Sequence, residues 1–600
     1  MHYMKEDFTM VNLKAVPYCL SDEDITWVEN TIVNMTDEEK VGQLFFDNRG
    51  MSADEDLIEL VTKYHIGGYR YNGIKAERVQ HQVRVLQENS KLPLFVACNP
   101  EDGGNGSATD GTYIGKGIKI GATQNEKYAY EMGRMANEEA APMGNNMAFA
   151  PVCDIHYNWQ NTEVVKRAFG SDPEMVAKMS KAYMDGVHSI PGYASVAKHF
   201  PGNGQDFRDA HQSSNINEFT KEEWMETYGK VYKTLIDGGV EGIMGGHIML
   251  PKYMREVKPD ITDDEMMPAT LCKEILTGLL RDELGFNGVV ISDATHMVAM
   301  TNRMTHEDMV VESINAGNDM FLFFNDPDED FGIMLDAYKT GKISEERMTE
   351  ALTRILGLKA KMGLNKKAKE DIVPSPEMMK AVLNKPEYTE MAKAIANDAI
   401  TLVKYKDKDV LPITLEKYKR IMIVYVKGND GAMAQLMKFA FGGGGAKNPA
   451  EVLCEKLKAK GFDAYIYESP MDKMKKAAAS GEEVDFGAIY RIGKSAIKDF
   501  KEQQDLVITV YDVETGRPNF GMSKGGGEIP WYVHDMTTIG ISVNTPTMLA
   551  DVPTVRTYIN AYDAKDYTLD AVVEKLMTGP EAFTGKDPID SFCGLWDTRI

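Results

Sequence analysis

Ala194-Ser195-Val196-Ala197-Lys198-His199-Phe200-Pro201-Gly202-Asn203-Gly204 begins as a short, small and β-branched run, then sets a basic pair against a Pro-Gly turn. A run of this kind bounded by turn residues predicts a buried strand that hands over to a loop at its charged end. The pattern recurs on both sides. Apolar, β-rich runs fall at Gly42 to Phe46, Ile66 to Tyr71, Leu94 to Cys98, Met147 to Val152, Gly242 to Met249, Gly288 to Ile291 and Met320 to Phe324. Helix-like amphipathic segments separate most of them, and eight runs alternating with helices predict a parallel (β/α)8, TIM-like barrel. Polar residues follow many of the runs: Asp47, Asn99 to Asp102, Asp154, Lys198-His199 and Ser292-Asp293. In a barrel these positions converge on the mouth at the C-terminal strand ends, where such folds gather their catalytic groups. Strands end in polar residues in many proteins, but that accounts less well for charged groups concentrated after several runs.

Beyond Gly204 the chain reads Gln205-Asp206-Phe207-Arg208-Asp209-Ala210-His211. The whole stretch from Lys198 resembles the KHFPGxGxxxxD(S/T)H signature of the N-acetylglucosaminidase branch of glycoside hydrolase family 3, with Ala210 in place of the usual hydroxyl residue. Lys198 and His199 would donate hydrogen bonds to sugar hydroxyls. Asp209 can hold His211 in one tautomer and stabilise its imidazolium, as an orienting acid does in a triad. Taken alone, an Asp-x-His is more often a local turn contact; the length of the match reverses that weighting.

Gly285-Phe286-Asn287-Gly288-Val289-Val290-Ile291-Ser292-Asp293-Ala294 is similar to the family's GFxGxxxSD segment. The resemblance makes Asp293 the nucleophile, a carboxylate that attacks the anomeric carbon and gives a covalent glycosyl-enzyme. It also implies that the acid/base is His211 rather than a second carboxylate. A structural alternative for Asp293 is the N-cap of a helix beginning near Thr295. Phe149-Ala150-Pro151-Val152-Cys153-Asp154-Ile155 and Lys166-Arg167-Ala168-Phe169-Gly170-Ser171-Asp172-Pro173 resemble the FAPVxD and RxFGxDP elements. Arg167 then matches the arginine that grips sugar hydroxyls, a task that suits a planar guanidinium. Asp154 is expected to orient Arg167 or the strand end, and Ser171-Asp172-Pro173 also reads as a helix start.

One element departs from the family. Its Asp-Gln-Glu-Gly-Gly, whose Asp binds distal hydroxyls, appears here as Asn99-Pro100-Glu101-Asp102-Gly103-Gly104. Counted from the strand, Asn99 takes the Asp position; counted back from the glycines, Asp102 does. An amide donates and accepts hydrogen bonds but makes no charge-assisted contact of the carboxylate kind.

Length and charge bound the rest. At 600 residues the chain exceeds what a single core sustains. A formal charge of −24 disfavours nucleic acid and anionic membrane surfaces as partners, and leaves a small neutral carbohydrate open. Cys19, Cys98, Cys153, Cys272, Cys454 and Cys593 lie far apart without a Cys-x-x-Cys pair, which fits neither a zinc site nor a disulfide framework. His156, His247 and His296 lack a His-x-x-x-His partner, and the 38 methionines are scattered, so no catalytic metal and no cofactor is expected. The polar start, Met1 to Asp7, and the absence of a long apolar run predict a soluble cytoplasmic protein.

Residues 1–370 are assigned to the barrel, 371–395 to a charged, proline-marked linker, and 396–600 to a second domain. Ala396 to Lys404 and Leu411-Pro412-Ile413 resemble the ARxSIVLLKN and LLPL elements that open the family's second domain. Four or five β-rich runs follow, at Ile421 to Val426, Asp463 to Tyr467, Leu506 to Tyr511, Ile539 to Val543 and Val555 to Ile559, predicting an α/β sandwich with a mostly parallel sheet. Gly442 to Gly445 and Gly525 to Gly527 lack the spacing of a phosphate or dinucleotide loop and read as flexible loops.

The resemblance covers about 30 to 370 strongly and 390 to 600 more weakly. It implies a retaining, exo-acting β-N-acetylglucosaminidase with Asp293 as nucleophile, His211 as acid/base, Asp209 as its orienting partner, and Arg167, Lys198 and His199 on the sugar. The nearest rival is a phosphorylase on the same site, since a histidine acid/base does not repel incoming phosphate. A β-glucosidase and a non-catalytic sugar-binding protein are the remaining alternatives. Water and phosphate are indistinguishable at this level.

Overall fold

The computed structural model describes residues 11–48, 52–71, 73–428, 447–468, 470–481, 497–514, 532–590, 592, 594 and 596–599. The opening residues 1–10, the glycine runs 442–445 and 525–527, and Cys593 lie outside the described residues. The chain divides into two compact units, one of residues 1–114, 125–155 and 167–389, the other of 115–124, 156–166 and 390–600. The division falls inside the stretch read as a linker, which carries helices at Pro376–Val382 and Pro386–Ala399.

In the first unit eight parallel strands close into a barrel in consecutive order: β1 (Phe45–Asp47), β2 (Gly68–Arg70), β3 (Phe95–Cys98), β4 (Met147–Ala148), β5 (Ala194–Phe200), β6 (Gly242–Gly245), β7 (Val289–Ala294) and β8 (Met320–Leu322), with β8 pairing back to β1. Every expected run supplies one strand of the barrel. Helices cover the barrel, so its strands are buried along both faces and read as continuous apolar runs rather than alternating ones. β5 runs three residues past Ala197 and is buried throughout, Lys198 and His199 included. That extension is tolerated because both side chains meet carboxylates from neighbouring strand ends. The turn after it needs glycine. Gly202 has φ +115°, and a Cβ there would lie 2.1 Å from the Tyr228 ring.

In the second unit the strands are β9 (Thr401–Tyr405), β10 (Arg420–Lys427), β11 (Asp463–Ile466), β12 (Leu506–Asp512), β13 (Thr538–Ser542) and β14 (Thr557–Asn560). They form one sheet in the order β9-β14-β13-β12-β10-β11, parallel except for β9 against β14. Alternation along each strand feeds two cores. Ile421, Ile423, Ile508 and Ile539 pack with Leu453 and Leu457 of helix Pro449–Ala459, while Met422, Val424 and Val507 face the other way, towards Tyr532 and Met548. The short segment 115–124 belongs here because Ile118 and Ala122 pack with Ala399, Tyr562 and Ile589, and Lys119 pairs with Asp563 at 2.6 Å. Among the described residues no helix is long and apolar enough to cross a membrane.

Candidate active site

Asp293 lies within β7, one residue before its end, and its Oδ1 accepts from Ala294 N at 2.7 Å. The nearest following helix, Val298–Thr301, has Met297 as its N-cap, so Asp293 does not cap it. Burial works to raise the Asp293 carboxyl, but the imidazoles of His199 and His247 and the ammonium of Lys198 outweigh it and hold the group below the ordinary carboxylate range. The geometry thus keeps a half-buried carboxylate ionised at a barrel strand end, which a nucleophile requires.

The β5 pair is anchored on both sides. Lys198 Nζ lies 2.6 Å from Glu101 Oε1 and 3.4 Å from Asn99 Oδ1. Arg167 makes a bidentate contact to the same Glu101, Nε to Oε2 at 2.8 Å and Nη2 to Oε1 at 2.9 Å, and its Nη2 also sits 3.3 Å from His199 Nε2. Burial alone would raise the Glu101 carboxyl; the two cations drive it well below its usual range instead. Asp154 Oδ2 accepts from His199 Nδ1 at 2.7 Å, and its Oδ1 accepts from Asn203 N at 2.7 Å. Of the two roles left open for Asp154, the observed contacts are those to the end of β5 rather than to Arg167. Asn99 directly follows β3, within reach of Lys198, whereas the Asp102 backbone carbonyl accepts from Ile114 N at 2.8 Å beside the Gly103–Tyr113 bridge.

The loop after β5 carries Asp209 and His211. Asp209 Oδ1 accepts from His211 Nδ1 at 2.7 Å and from His211 N at 2.8 Å. Burial tends to raise the Asp209 carboxyl, and the hydrogen bonds from His211 bring it below its ordinary value. Nδ1 is turned to Asp209, and the ring is over half exposed at 55%. The Asp172 side chain caps helix Pro173–His188 by accepting from Glu174 N, as the Ser-Asp-Pro spacing predicts.

Sequence reasoning passed over three groups that the fold brings to these residues. Glu101 joins Arg167 to Lys198, and its signal was present in Asn99-Pro100-Glu101, where it keeps the position of the family's Glu when counted from the strand. His247, set aside for want of a metal-binding partner, donates from Nε2 to Ala294 O at 3.0 Å and accepts at Nδ1 from the Thr270 hydroxyl at 2.8 Å. It braces the strand end that carries Asp293. The third is Arg70, the last residue of β2, whose charge is felt by both Glu101 and Asp293.

Known proteins point the same way. The profile described as "Glycosyl hydrolase family 3 N terminal domain" matches residues 36–358. A β-N-acetylglucosaminidase/β-glucosidase of Cellulomonas fimi is 35% identical over 98% of this chain and 100% of its own length. The structure of a β-glucoside phosphorylase, BglX, superposes with a TM-score of 0.85 at 35% identity, covering 98% of this chain and 99% of that one. A family 3 β-N-acetylglucosaminidase from Paenibacillus sp. str. FPU-7 shares the fold, with a TM-score of 0.73 at 23% identity over 93% of this chain and 99% of that one.

Proposed function

This chain belongs to glycosyl hydrolase family 3, and on that footing we propose that it is a retaining, exo-acting β-N-acetylglucosaminidase. The observation that carries the reading is the Asp209–His211 contact, on a loop of the barrel whose β7 carries a half-buried, ionised Asp293 near its end. The Asp293 carboxylate attacks the anomeric carbon while the His211 imidazolium gives its proton to the glycosidic oxygen, and the aglycone leaves as an alcohol. Water then attacks the glycosyl-enzyme, its proton passing to His211, its oxygen staying on the sugar, and the Asp293 carboxylate is released. Asp209 keeps the imidazole oriented and stabilises its charged form through both steps. Arg167, Lys198 and His199 bind the nonreducing sugar, and Asn99 takes the family's aspartate position, supported by its place beside Lys198.

A second reading is favoured by the likeness to a β-glucoside phosphorylase over almost the full chain. Inorganic phosphate is already anionic and needs no general base, and a histidine acid/base does not repel it as a second carboxylate would. The matched pair of p-nitrophenyl β-N-acetylglucosaminide and β-glucoside, each assayed with and without phosphate, tests both readings. Free N-acetylglucosamine as the product, formed at the same rate in either buffer, supports the hydrolase. A sugar 1-phosphate, or a higher kcat/KM for the glucoside, rejects it in favour of the phosphorylase or the glucosidase.

A further inference from the structure

Arg70 ends β2, in register with Ala97 on β3, two residues before Asn99. Its guanidinium carbon lies 5.9 Å from the centroid of the Phe323 ring, and its Nε is fully buried. Among the described residues it makes no hydrogen bond and no ion pair. That isolation distinguishes it from other enclosed arginines of the same unit. Arg281, Arg347 and Arg354 all bond Asp319, and Arg167 holds Glu101. The two carboxylates whose charge reaches Arg70 are engaged elsewhere, Glu101 by Arg167 and Lys198, Asp293 by the Ala294 amide.

A guanidinium stays charged and offers five N–H donors; here Nε is buried without an acceptor while the side chain as a whole stays partly exposed, so a ligand that reaches it can supply the missing acceptors. Its position at a strand end beside Asn99 and across from Asp293 puts that supply in the sugar pocket. We propose that Arg70 is a specificity-determining residue that donates to a hydroxyl oxygen of the nonreducing sugar. The inference rests on the glycosidase reading above. It also answers the departure at position 99. The family's aspartate accepts a hydrogen bond from the sugar; with a neutral amide there, the charge-assisted contact passes to a donor on the next strand, and the hydroxyl becomes the acceptor. A fluorine can weakly accept but cannot donate, so the two arrangements respond differently to a fluoro sugar.

The test compares wild type with Arg70→Met and Arg70→Lys on p-nitrophenyl glycosides that are deoxy or deoxyfluoro at the 3, 4 or 6 position. At one position, deoxygenation should lower the wild-type kcat/KM on the order of 100-fold, with fluorine restoring part of it. Arg70→Met should lower the parent substrate by a similar factor and lose sensitivity at that position alone. If Arg70→Met does not fold, as judged by circular dichroism and thermal unfolding, the same position-specific loss in Arg70→Lys carries the test, because lysine keeps the charge without the planar fork. An equal loss on every sugar, or no loss, overturns the proposal, and so does a change confined to the KM for phosphate. A wild type that cleaves neither glycoside would refute the glycosidase reading itself, whereas an active wild type with an indifferent Arg70→Met refutes only this inference.

Discussion

The carbonyl of Ala210 accepts from the backbone N of Ala299 at 3.1 Å, and the Ala210 methyl packs with Met297 and Ala299, tying the loop that holds Asp209 and His211 to the segment that follows Asp293. The small residue standing where the family usually has a hydroxyl is therefore a packing contact. It fixes the two halves of the proposed machinery to each other through backbone rather than through a polar side chain. An acid/base on a loop needs such a tether, since a displacement of about 1 Å in a reacting group can cost on the order of 100-fold in rate.

If His211 protonates the leaving oxygen, His211→Ala should cripple glycosides with poor leaving groups and spare the glycosylation step for an activated phenol, which departs without a proton. Asp209→Ala should give a milder version, because the imidazole remains but loses its orienting acceptor. Pre-steady-state rates across a series of phenyl aglycones measure this. A loss of the same size for every leaving group would reduce His211 to a binding or structural residue.

The barrel was legible because each strand is a buried apolar run closed by turn residues, and all eight runs found along the chain became strands in consecutive order. Its strand ends were less so. Lys198 and His199 read as a basic pair where the run Ala194 to Ala197 ends, yet they are part of β5 itself, which runs on to Phe200, since Glu101 and Asp154 arrive from β3 and β4 to meet them. Carboxylates separated from the lysine and histidine by tens of residues leave no local trace. The same holds for Lys119, which looks like a barrel residue by position and is buried against Asp563, 444 residues away, within the second unit. Of the site, Asp293, Asp209, His211 and Arg167 were visible as parts of long motifs. Arg70 and His247 were not, because each stands alone in its segment and acquires meaning only from what the fold sets beside it.

Glu101→Gln should harm both stability and activity. It removes the charge that Arg167 and Lys198 share, and breaking a buried pair in this way costs about 3–5 kcal/mol. Thermal unfolding should show the loss directly. Because the same two cations are proposed to bind the sugar, KM should rise as well, and an unchanged melting temperature would show that the three groups are not energetically linked.

At the opposite end of the barrel Asp319, just before β8, accepts from Arg281 at 2.8 Å, from Arg347 at 2.7 Å and from Arg354 at 3.2 Å. Burial works against the charge, but the three arginines hold the carboxyl down at about 2. Since that lies below the unfolded value of about 3.9, the stability it brings is complete above pH 4 and is lost as pH falls towards 2. The difference amounts to about 2–3 kcal/mol. Asp319→Asn should therefore lower the melting temperature at pH 7 and narrow the gap to wild type as the solution is acidified below pH 4. A gap that stays constant down to pH 2 would remove the ionic contribution.

Lys359 presents the reverse case. It is fully buried in helix Glu345–Lys361, with Nζ 2.5 Å from Gln43 Oε1 and 5.1 Å from the centroid of the Phe95 ring, and burial pulls its pKa down to about 7. An unfolded lysine titrates near 10.4, so between about pH 7 and 10 the unfolded chain holds a proton that the folded one has given up, and stability rises with pH across that window. Below pH 7 the folded protein must enclose an ammonium that, among the described residues, has an amide oxygen and a ring face to receive it. Replacing the side chain by an unbranched apolar one of similar length removes that penalty, at the cost of one hydrogen bond worth about 1 kcal/mol. Lys359→Met should accordingly raise the melting temperature at pH 6 and flatten the rise between pH 7 and 10, so that the advantage shrinks as the solution becomes alkaline. Thermal unfolding of both proteins from pH 6 to pH 10 measures this. Destabilisation of equal size at every pH would mean that the lysine is held charged, and that the Gln43 and Phe95 contacts outweigh its burial.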